Sequence, residues 1–358
     1  MSKKNKGEST KFKKINALVT AVGGAIGQGI IKSLQMSDLN IRIVGTDAEN
    51  LAAGLYWCQK GYMVPRSDKK SADYLKAIIY ICSREKIHII FPGIPEEVTF
   101  FALNKKEIEE KTGCKIVVSS SDLLDLVGDK WNMYKFLSEK EIDTPRTFLI
   151  RKDEKNIPKL ISEIIKNNPL PLILKPRGSY GSKGVKILKK SEDIDTIENQ
   201  GEDMVLQEFL PDNDEEYTCG IFVTAEGKNI GTFVMKRESK FPCSTYRGEI
   251  GNFKDVQKVI ESVAQHIKPL GPCNIQARKI KNRIAVFDIN PRFSASNSMR
   301  ANFGFNEAEL SIKDMVLGQK IRPIRNFSKG MALRYWHECY IEPKAKKSII
   351  DLSGEKSA

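Results

Sequence analysis

Histidine is scarce in this chain. His88, His266 and His337 are the three among 358 residues, and no mutual spacing gathers them around a metal ion. The seven cysteines, at 58, 82, 114, 219, 243, 273 and 339, are odd in number and scattered, with no CxxC pair. They read as buried or incidental thiols in a reducing compartment, not as a disulfide frame or a zinc site. No apolar run approaches the roughly 18–20 residues of a membrane span; the longest, "ALVTAVGGAIGQGII", is short and rich in glycine. The lysine-rich start lacks the apolar core of a signal peptide. Internal repeats, low-complexity linkers and any Ser-His-Asp or Cys-His arrangement are also missing. These absences lead to the expectation of a soluble cytoplasmic protein without a covalent nucleophile, a membrane contact or a nucleic-acid contact.

What is present is an ordinary globular composition, 41% hydrophobic and 29% charged, over a length that suits two or three domains. The formal charge of +13 favours anionic ligands by long-range attraction, although surface lysines alone would give the same number. Part of it is local. Residues 1–14 hold six lysines against one glutamate and little to bury, so they are expected to be a disordered basic tail.

From residue 15 to 118 strands alternate with helices. "INALVTAVGGAIGQGIIKSL" is strand, glycine turn and helix, and "IRIVGTD", "IHIIFPG" and "CKIVVSS" are further strands. This order predicts a Rossmann-like α/β domain on a parallel sheet. Its turn is not the full dinucleotide fingerprint, because Val22 holds the first glycine position and only Gly24 and Gly27 remain, with Asp47 at the end of the second strand. Close packing of Gly23, Gly24 and Gly27 is the competing explanation. From about 119 to 330 short strands dominate: "LPLILKP", "MVLQEFL", "EYTCGIFVT", "NIGTFVMKRES", "CNIQARKI" and "RIAVFDIN". They predict an α+β unit with mostly antiparallel sheets, a small lid at about 145–206, a last strand in "MALRYWHECYIEP" and a frayed end within 331–358.

Three stretches carry chemistry. "KPRGSYGSKGV" offers backbone N–H groups for phosphate around Gly178, Ser179, Gly181, Ser182 and Gly184, with Lys175 a fixed cation at the end of the strand before it. It fails the P-loop spacing, and a mobile turn is the plain alternative. "VLQEFL" and "EEY" suggest a nucleotide clamp through Glu208 and Glu216, which by default are solvated charges. In "FDINPRFSAS" the residues Asp288, Asn290 and Arg292 alternate, so on an extended chain they share a face. A hairpin with a three-residue loop, 281–283, would set Gln276 opposite Asp288; a two-residue turn would set it opposite Phe287, on the wrong face. Gln276, Asp288 and Asn290 would then present oxygen ligands suited to Mg²⁺, with Arg292 facing a phosphoryl group. A structural ion pair of Asp288 with Arg292 is the alternative.

Taken in order, Lys130, Lys175, the glycine loop, Glu208, Glu216, "GPCNIQ" and "NPRFSASNSMRANFGFNEAEL" resemble the ATP-grasp superfamily. The likeness is to the carbamoyl-phosphate-synthetase large-subunit type and its stand-alone relatives, over roughly 119–310 behind the family's usual N-terminal domain. The resemblance implies that Lys130, Lys175 and the loop bind ATP phosphates, Glu208 and the Leu210 backbone adenine, and Glu216 ribose. It implies one or two Mg²⁺ (or Mn²⁺) on Gln276, Asp288 and Asn290, with Arg292 and Lys175 at the transferred phosphoryl group. Asp288 departs from the family's usual glutamate. With no amidotransferase domain and no second synthetase half in view, carbamoyl phosphate synthesis by this chain alone is not expected.

The implied reaction activates a small-molecule carboxylate as an acyl phosphate for attack by an amine or similar nucleophile. Arg237, Arg247 and Arg300 are the candidates for the carboxylate's cation. A homodimer is an open option. The alternatives are an NAD(P)-dependent oxidoreductase built on the first domain and a nucleotide-binding regulatory protein without turnover.

Overall fold

The computed structural model describes residues 14–354 except 179–183, 196, 198–200, 212–214, 242–243, 336 and 347. The expected basic tail therefore lies, but for Lys14, outside the described residues, as do Ser179, Gly181 and Ser182 of the glycine loop. The chain divides into two compact units. One comprises Met1–Val118, Arg292–Arg322 and His337–Ala358, the other Ser119–Pro291 and Pro323–Trp336.

The first unit is built on a parallel sheet of β1 (Ile15–Val19), β2 (Ile41–Asp47), β3 (Lys60–Met63), β4 (Ile89–Phe91), β5 (Lys115–Ile116) and a last strand, Ile350–Asp351. The spatial order is Ile350–Asp351, β3, β2, β1, β4, β5. Ala17, Leu18 and Val19 of β1 are wholly buried, as expected of a strand covered on both faces. The frayed end expected within 331–358 is corrected at residues 350–352, because Ile350 and Asp351 pair with Tyr62 and Met63 and the Leu352 amide donates to the Met63 carbonyl at 2.8 Å.

Arg292–Arg322 was expected in the second domain but packs in the first. Phe293, Ala308 and Ile312 join the apolar cluster of Ile30, Ile31 and Leu34 from the helix Ala25–Gln35. Asn297 fixes the contact: its Oδ1 accepts from Ser33 Oγ at 2.9 Å, and it lies so close to Gly29 that a Cβ there would sit 2.7 Å from its Nδ2.

The second unit holds two antiparallel sheets. The smaller, ordered β6 (Thr147–Ile150), β9 (Met204–Glu208), β7 (Leu172–Pro176), β8 (Lys186–Leu188), packs Leu172, Leu174 and Leu206 against Ile157 and Ile161 of a covering helix. The larger contains β10 (Glu215–Val223), β11 (Asn229–Phe241), β12 (Ser244–Ile250), β13 (Gly271–Ile280), β14 (Arg283–Asn290) and β15 (Gly330–Leu333), in the order β14-β13-β10-β11-β12-β15. One of its faces is apolar and covered by the helix Lys254–Ile267, whose Val256, Ile260, Val263, Ala264 and Ile267 follow helical spacing. Each such buried Val or Ile side chain contributes about 1.5–3 kcal/mol.

At the carboxyl ends of the parallel strands sits a buried acid, Glu97, in the first turn of the helix Pro95–Thr112. Thr20 Oγ1 and Tyr74 OH (2.7 Å) donate to its two oxygens, and the Gly93 amide donates to Thr20 Oγ1 at 3.2 Å. Burial pushes its carboxyl up to about 7, against these hydrogen bonds and with the negative charge of Asp47 adding to the rise. A carboxyl raised in the folded state contributes stability that is whole below about pH 4.5 and gone above about pH 7, a difference of about 3 kcal/mol. Denaturant melts across that window should show this loss in the wild type. The isosteric Glu97→Gln variant should lack it; equal slopes for both proteins would rule Glu97 out as the source.

Candidate active site

The hairpin of β13 and β14 places Gln276 opposite Asp288 and Asn274 opposite Asn290. Its turn is not the expected three-residue loop. Ile280 pairs with Arg283, leaving Lys281 and Asn282 as a two-residue turn with Lys281 at φ 53°. The register is instead reset by a β-bulge: Ala277 pairs with Val286 but Gln276 with Asp288, so Phe287 is the extra residue. Across β10, Gln276 faces Thr218 and Arg278 faces Glu216. Glu216, Thr218, Gln276, Arg278 and Asp288 thus share one face, and Tyr217, Cys219, Ile275, Ala277 and Ile289 occupy the apolar core on the other. On that polar face Thr218 Oγ1 donates to Asn274 Oδ1 at 2.8 Å and Asn290 Nδ2 to Asp288 Oδ2 at 2.6 Å.

Two lysines feel the Asp288 carboxylate. Lys175 projects from β7, where Leu172 and Leu174 turn the other way into the core, and its Nζ donates to Gln207 Oε1 at 2.7 Å. Gln207 is buried and in turn donates to Thr147 Oγ1 at 2.8 Å. Burial pushes the Lys175 ammonium down to about 8; the charge of Lys130 works in the same direction and that of Asp288 against it. Burial also lowers Lys130, with Asp288, Asp129 and Glu202 opposing. Lys130 opens the helix Lys130–Glu139, where the Asp129 carboxylate caps the amides of Trp131 and Asn132 at 3.0 and 2.9 Å. Arg177, at the base of the glycine loop, bonds that same carboxylate at 2.8 Å through Nε and Asp203 at 3.0 Å through Nη1. Three segments far apart in sequence therefore bring two partly dehydrated ammonium groups and one carboxylate within each other's field.

The expected clamp acids are held by guanidinium groups rather than by solvent. Glu208 receives Arg283 through both oxygens, at 2.5 and 3.1 Å, and the Arg146 amide at 3.1 Å. Burial would raise its carboxyl, but the Arg283 bonds bring it below the ordinary range. Glu216 accepts from Arg237 Nε on one oxygen and Arg278 Nη2 on the other. The Leu210 carbonyl accepts from Arg278.

The three candidate carboxylate-binding arginines separate. Arg237 lies on the polar face, where its Nη2 donates to Gln276 Oε1 at 3.1 Å. Arg247 is corrected: it pairs in register with Glu238 two residues from the Lys236–Glu249 pair, and Lys236 pairs with Tyr217, so it belongs to the apolar-core face of the sheet. There it bonds Glu238 at 3.1 Å, half exposed. Arg300 is corrected as well. It belongs to the first unit, is wholly buried with Glu307 and bonds it at 2.9 Å, as structural charges do. Arg292 also falls in the first unit, its Nη1 donating to the Phe293 carbonyl at 2.9 Å. Gly178 and Gly184 are described, the latter at φ 71°. Sequence reasoning leaves out Gln207, Arg278 and Arg283. Arg278 was open to detection, two residues beyond Gln276 on the same strand face; Arg283 and Glu208 are 75 residues apart and leave no local signal.

Among the described residues no group of three or more His, Cys, Asp or Glu could hold a metal ion. A recess of about 440 Å³ beside Cys82, His88, Lys115 and Val316 is lined by none of the candidate site residues. No described helix is long and apolar enough to cross a membrane.

Residues 18–117 match the PylC-like N-terminal domain, and residues 127–296 match the ATP-grasp domain. The carbamoyl phosphate synthase large chain of Thermoplasma acidophilum is 24% identical over 276 residues, 70% of this chain and 25% of that one. The chain thus spans about a quarter of the length of the curated relative it matches. Among solved structures, N5-carboxyaminoimidazole synthetase from Staphylococcus aureus with ADP superimposes with a TM-score of 0.66 at 17% identity, covering 91% of this chain and 82% of that one. The biotin carboxylase domain of the Hydrogenobacter thermophilus 2-oxoglutarate carboxylase, solved as a dimer with MgADP, ADP and bicarbonate, gives 0.64 at 14% identity over 86% and 70%. At these identities the shared property is the fold.

With Lys175 near 8, about half of its charge is missing at pH 8, and a polyphosphate bound beside it would restore that charge. Calorimetric titration with ATP at pH 8, in two buffers of different ionisation enthalpy, should report uptake of up to about half a proton. Lys175→Met should abolish the uptake. Uptake unchanged in that variant would assign it to another group.

Proposed function

Since residues 127–296 are an ATP-grasp domain following a PylC-like N-terminal domain, we propose that this chain is an ATP- and Mg²⁺-dependent ligase. It activates a small-molecule carboxylate as an acyl phosphate for attack by an amine or similar nucleophile and releases ADP and phosphate. The observation that carries this reading is that Lys130 and Lys175 both lie within the field of Asp288, which stands opposite Gln276 on the polar face of the larger sheet. Two ammonium groups that lose stability by dehydration regain it when a polyanion arrives. A site of this kind works by positioning and charge neutralisation, with no covalent nucleophile.

Each residue then has a task. Lys130 and Lys175 hold phosphate oxygens, and the buried Gln207 keeps Lys175 aimed. The segment from Glu208 to Leu210 meets the base and Glu216 lies toward the ribose, its carboxylate fixed by two guanidinium groups. Asp288, with the amide oxygens of Gln276 and Asn290, fits Mg²⁺, a hard cation that takes much of its shell from water and phosphate. The ion would neutralise charge on the transferred phosphoryl group. Arg237, on the same face, is the cation for the carboxylate substrate, and Arg292 is assigned to the phosphoryl group by the family motif.

Against the oxidoreductase alternative stands Val22 at the first glycine position of the dinucleotide fingerprint. Asp47 accepts from the Gly23 amide at 2.7 Å. A Cβ on Gly27 would stand 2.5 Å from the Ala21 carbonyl, so this glycine serves close packing of helix on strand, a role it would have with or without a nucleotide. A cytoplasmic location, and a homodimer as in the Hydrogenobacter domain, accord with the ligase reading.

Phosphate release from Mg-ATP across a panel of carboxylates, each with and without amines, tests the proposal. One carboxylate should stimulate release, and an amine should raise it further. Asp288→Ala should lower release at least 100-fold, about 2.7 kcal/mol at the barrier, with an unchanged melting profile. Stimulation by NAD-linked turnover instead, or full activity of Asp288→Ala, would overturn the assignment.

A further inference from the structure

We propose that Arg278 is a positioning residue for the nucleotide, tying the segment that meets the base to the strand that carries Asp288. This rests on the nucleotide reading above. Arg278 lies on β13 between Glu216 of β10 and Ala285 of β14 in the ladder, and its side chain is 12% exposed. Its Nη1 donates to the carbonyls of Leu210 and Pro211, the latter at 3.1 Å, where the chain leaves β9. Its Nη2 donates to Glu216 Oε2. The guanidinium also stands 5.8 Å from the centre of the Phe287 ring. Phe287 is the bulged residue that turns Asp288 onto the polar face.

One planar cation therefore touches the end of β9, the start of β10 and the bulge of β14. These are the pieces assigned to base, ribose and metal. A guanidinium can do this because its donors fan out in a fixed plane and its faces stack on an aromatic ring; a lysine offers a single compact charge on a flexible stem. Arg237 takes the other oxygen of Glu216, so the carboxylate that would face ribose is immobilised from both sides. The Leu210 carbonyl, already accepting from Arg278, sets the plane of its peptide unit and so the direction of the neighbouring backbone groups that read the base. Sheet pairing alone requires none of this, because the backbone ladder of β13 forms with any side chain at 278.

The test is calorimetric binding of Mg-ATP and Mg-GTP to the full chain and to Arg278→Met and Arg278→Lys, with melting curves alongside. The methionine variant should bind ATP about tenfold or more weakly, the loss expected for one charge-assisted hydrogen bond, and its preference for ATP over GTP should shrink. Lysine should recover only part of either. A lower melting temperature with wild-type ATP affinity and an unchanged base preference would make Arg278 a structural residue and overturn the inference. If the methionine variant does not fold, the lysine variant is held to the same criterion. A wild-type chain that binds neither nucleotide would instead remove the nucleotide reading itself, and this inference with it.

Discussion

Phe287 sets the parity of everything beyond it on β14. Without the bulge Gln276 would oppose Phe287, and Asp288 would fall in line with Ile275, facing the apolar layer under the helix Lys254–Ile267. An unpaired carboxylate there costs several kcal/mol, and Ile289 would be turned outward at the same time. The core and the site thus enforce the same register, since a slip of one residue exchanges the two faces. The packing of Ile275 and Ile289 is as much a condition for Asp288 to face the site as any polar contact.

The charges of the second unit are distributed unevenly. Glu208 is held by Arg283 and Asp129 by Arg177, pairs that cancel, whereas Glu216 is held by both Arg237 and Arg278, which leaves one positive charge over. The hydrogen-bond acceptor of Lys175 is Gln207, a neutral amide, so its ammonium is oriented without being neutralised. That contrast separates the cancelling pairs, which build the site, from the lysine and the Glu216 cluster, which keep a positive field for a ligand. A carboxylate in place of Gln207 would fix Lys175 more firmly and cancel the attraction the position provides.

Much of this was legible in the sequence, and the reasons differ by element. The parallel sheet announced itself through alternating strands and helices, and the polar face through residues spaced by two in "FDIN". The register came out as expected for a different cause. Loop length and a bulge both add one residue, and strand periodicity alone does not distinguish them. The contacts of Arg278 and Arg283 join strands distant in the chain and depend on tertiary pairing. Arg300 misled for a related reason: in "NSMRANFGFNE" nothing local shows that Glu307, one strand-free turn away, closes on it inside a core. The motif that follows Asn290 contains structural residues as well, with Asn297 serving Ser33 and Gly29 of the first helix.

The return of Arg292–Arg322 and Ile350–Asp351 to the first unit has a bearing on biogenesis. As the polypeptide leaves the ribosome, residues 15–118 emerge with one face of the helix Ala25–Gln35 lacking its cover and the outer edge of β3 open. Both are completed only after more than 170 further residues have been made. An uncovered apolar helix face and a bare strand edge invite aggregation. The nascent amino-terminal third therefore carries both exposed features until the later segments are made.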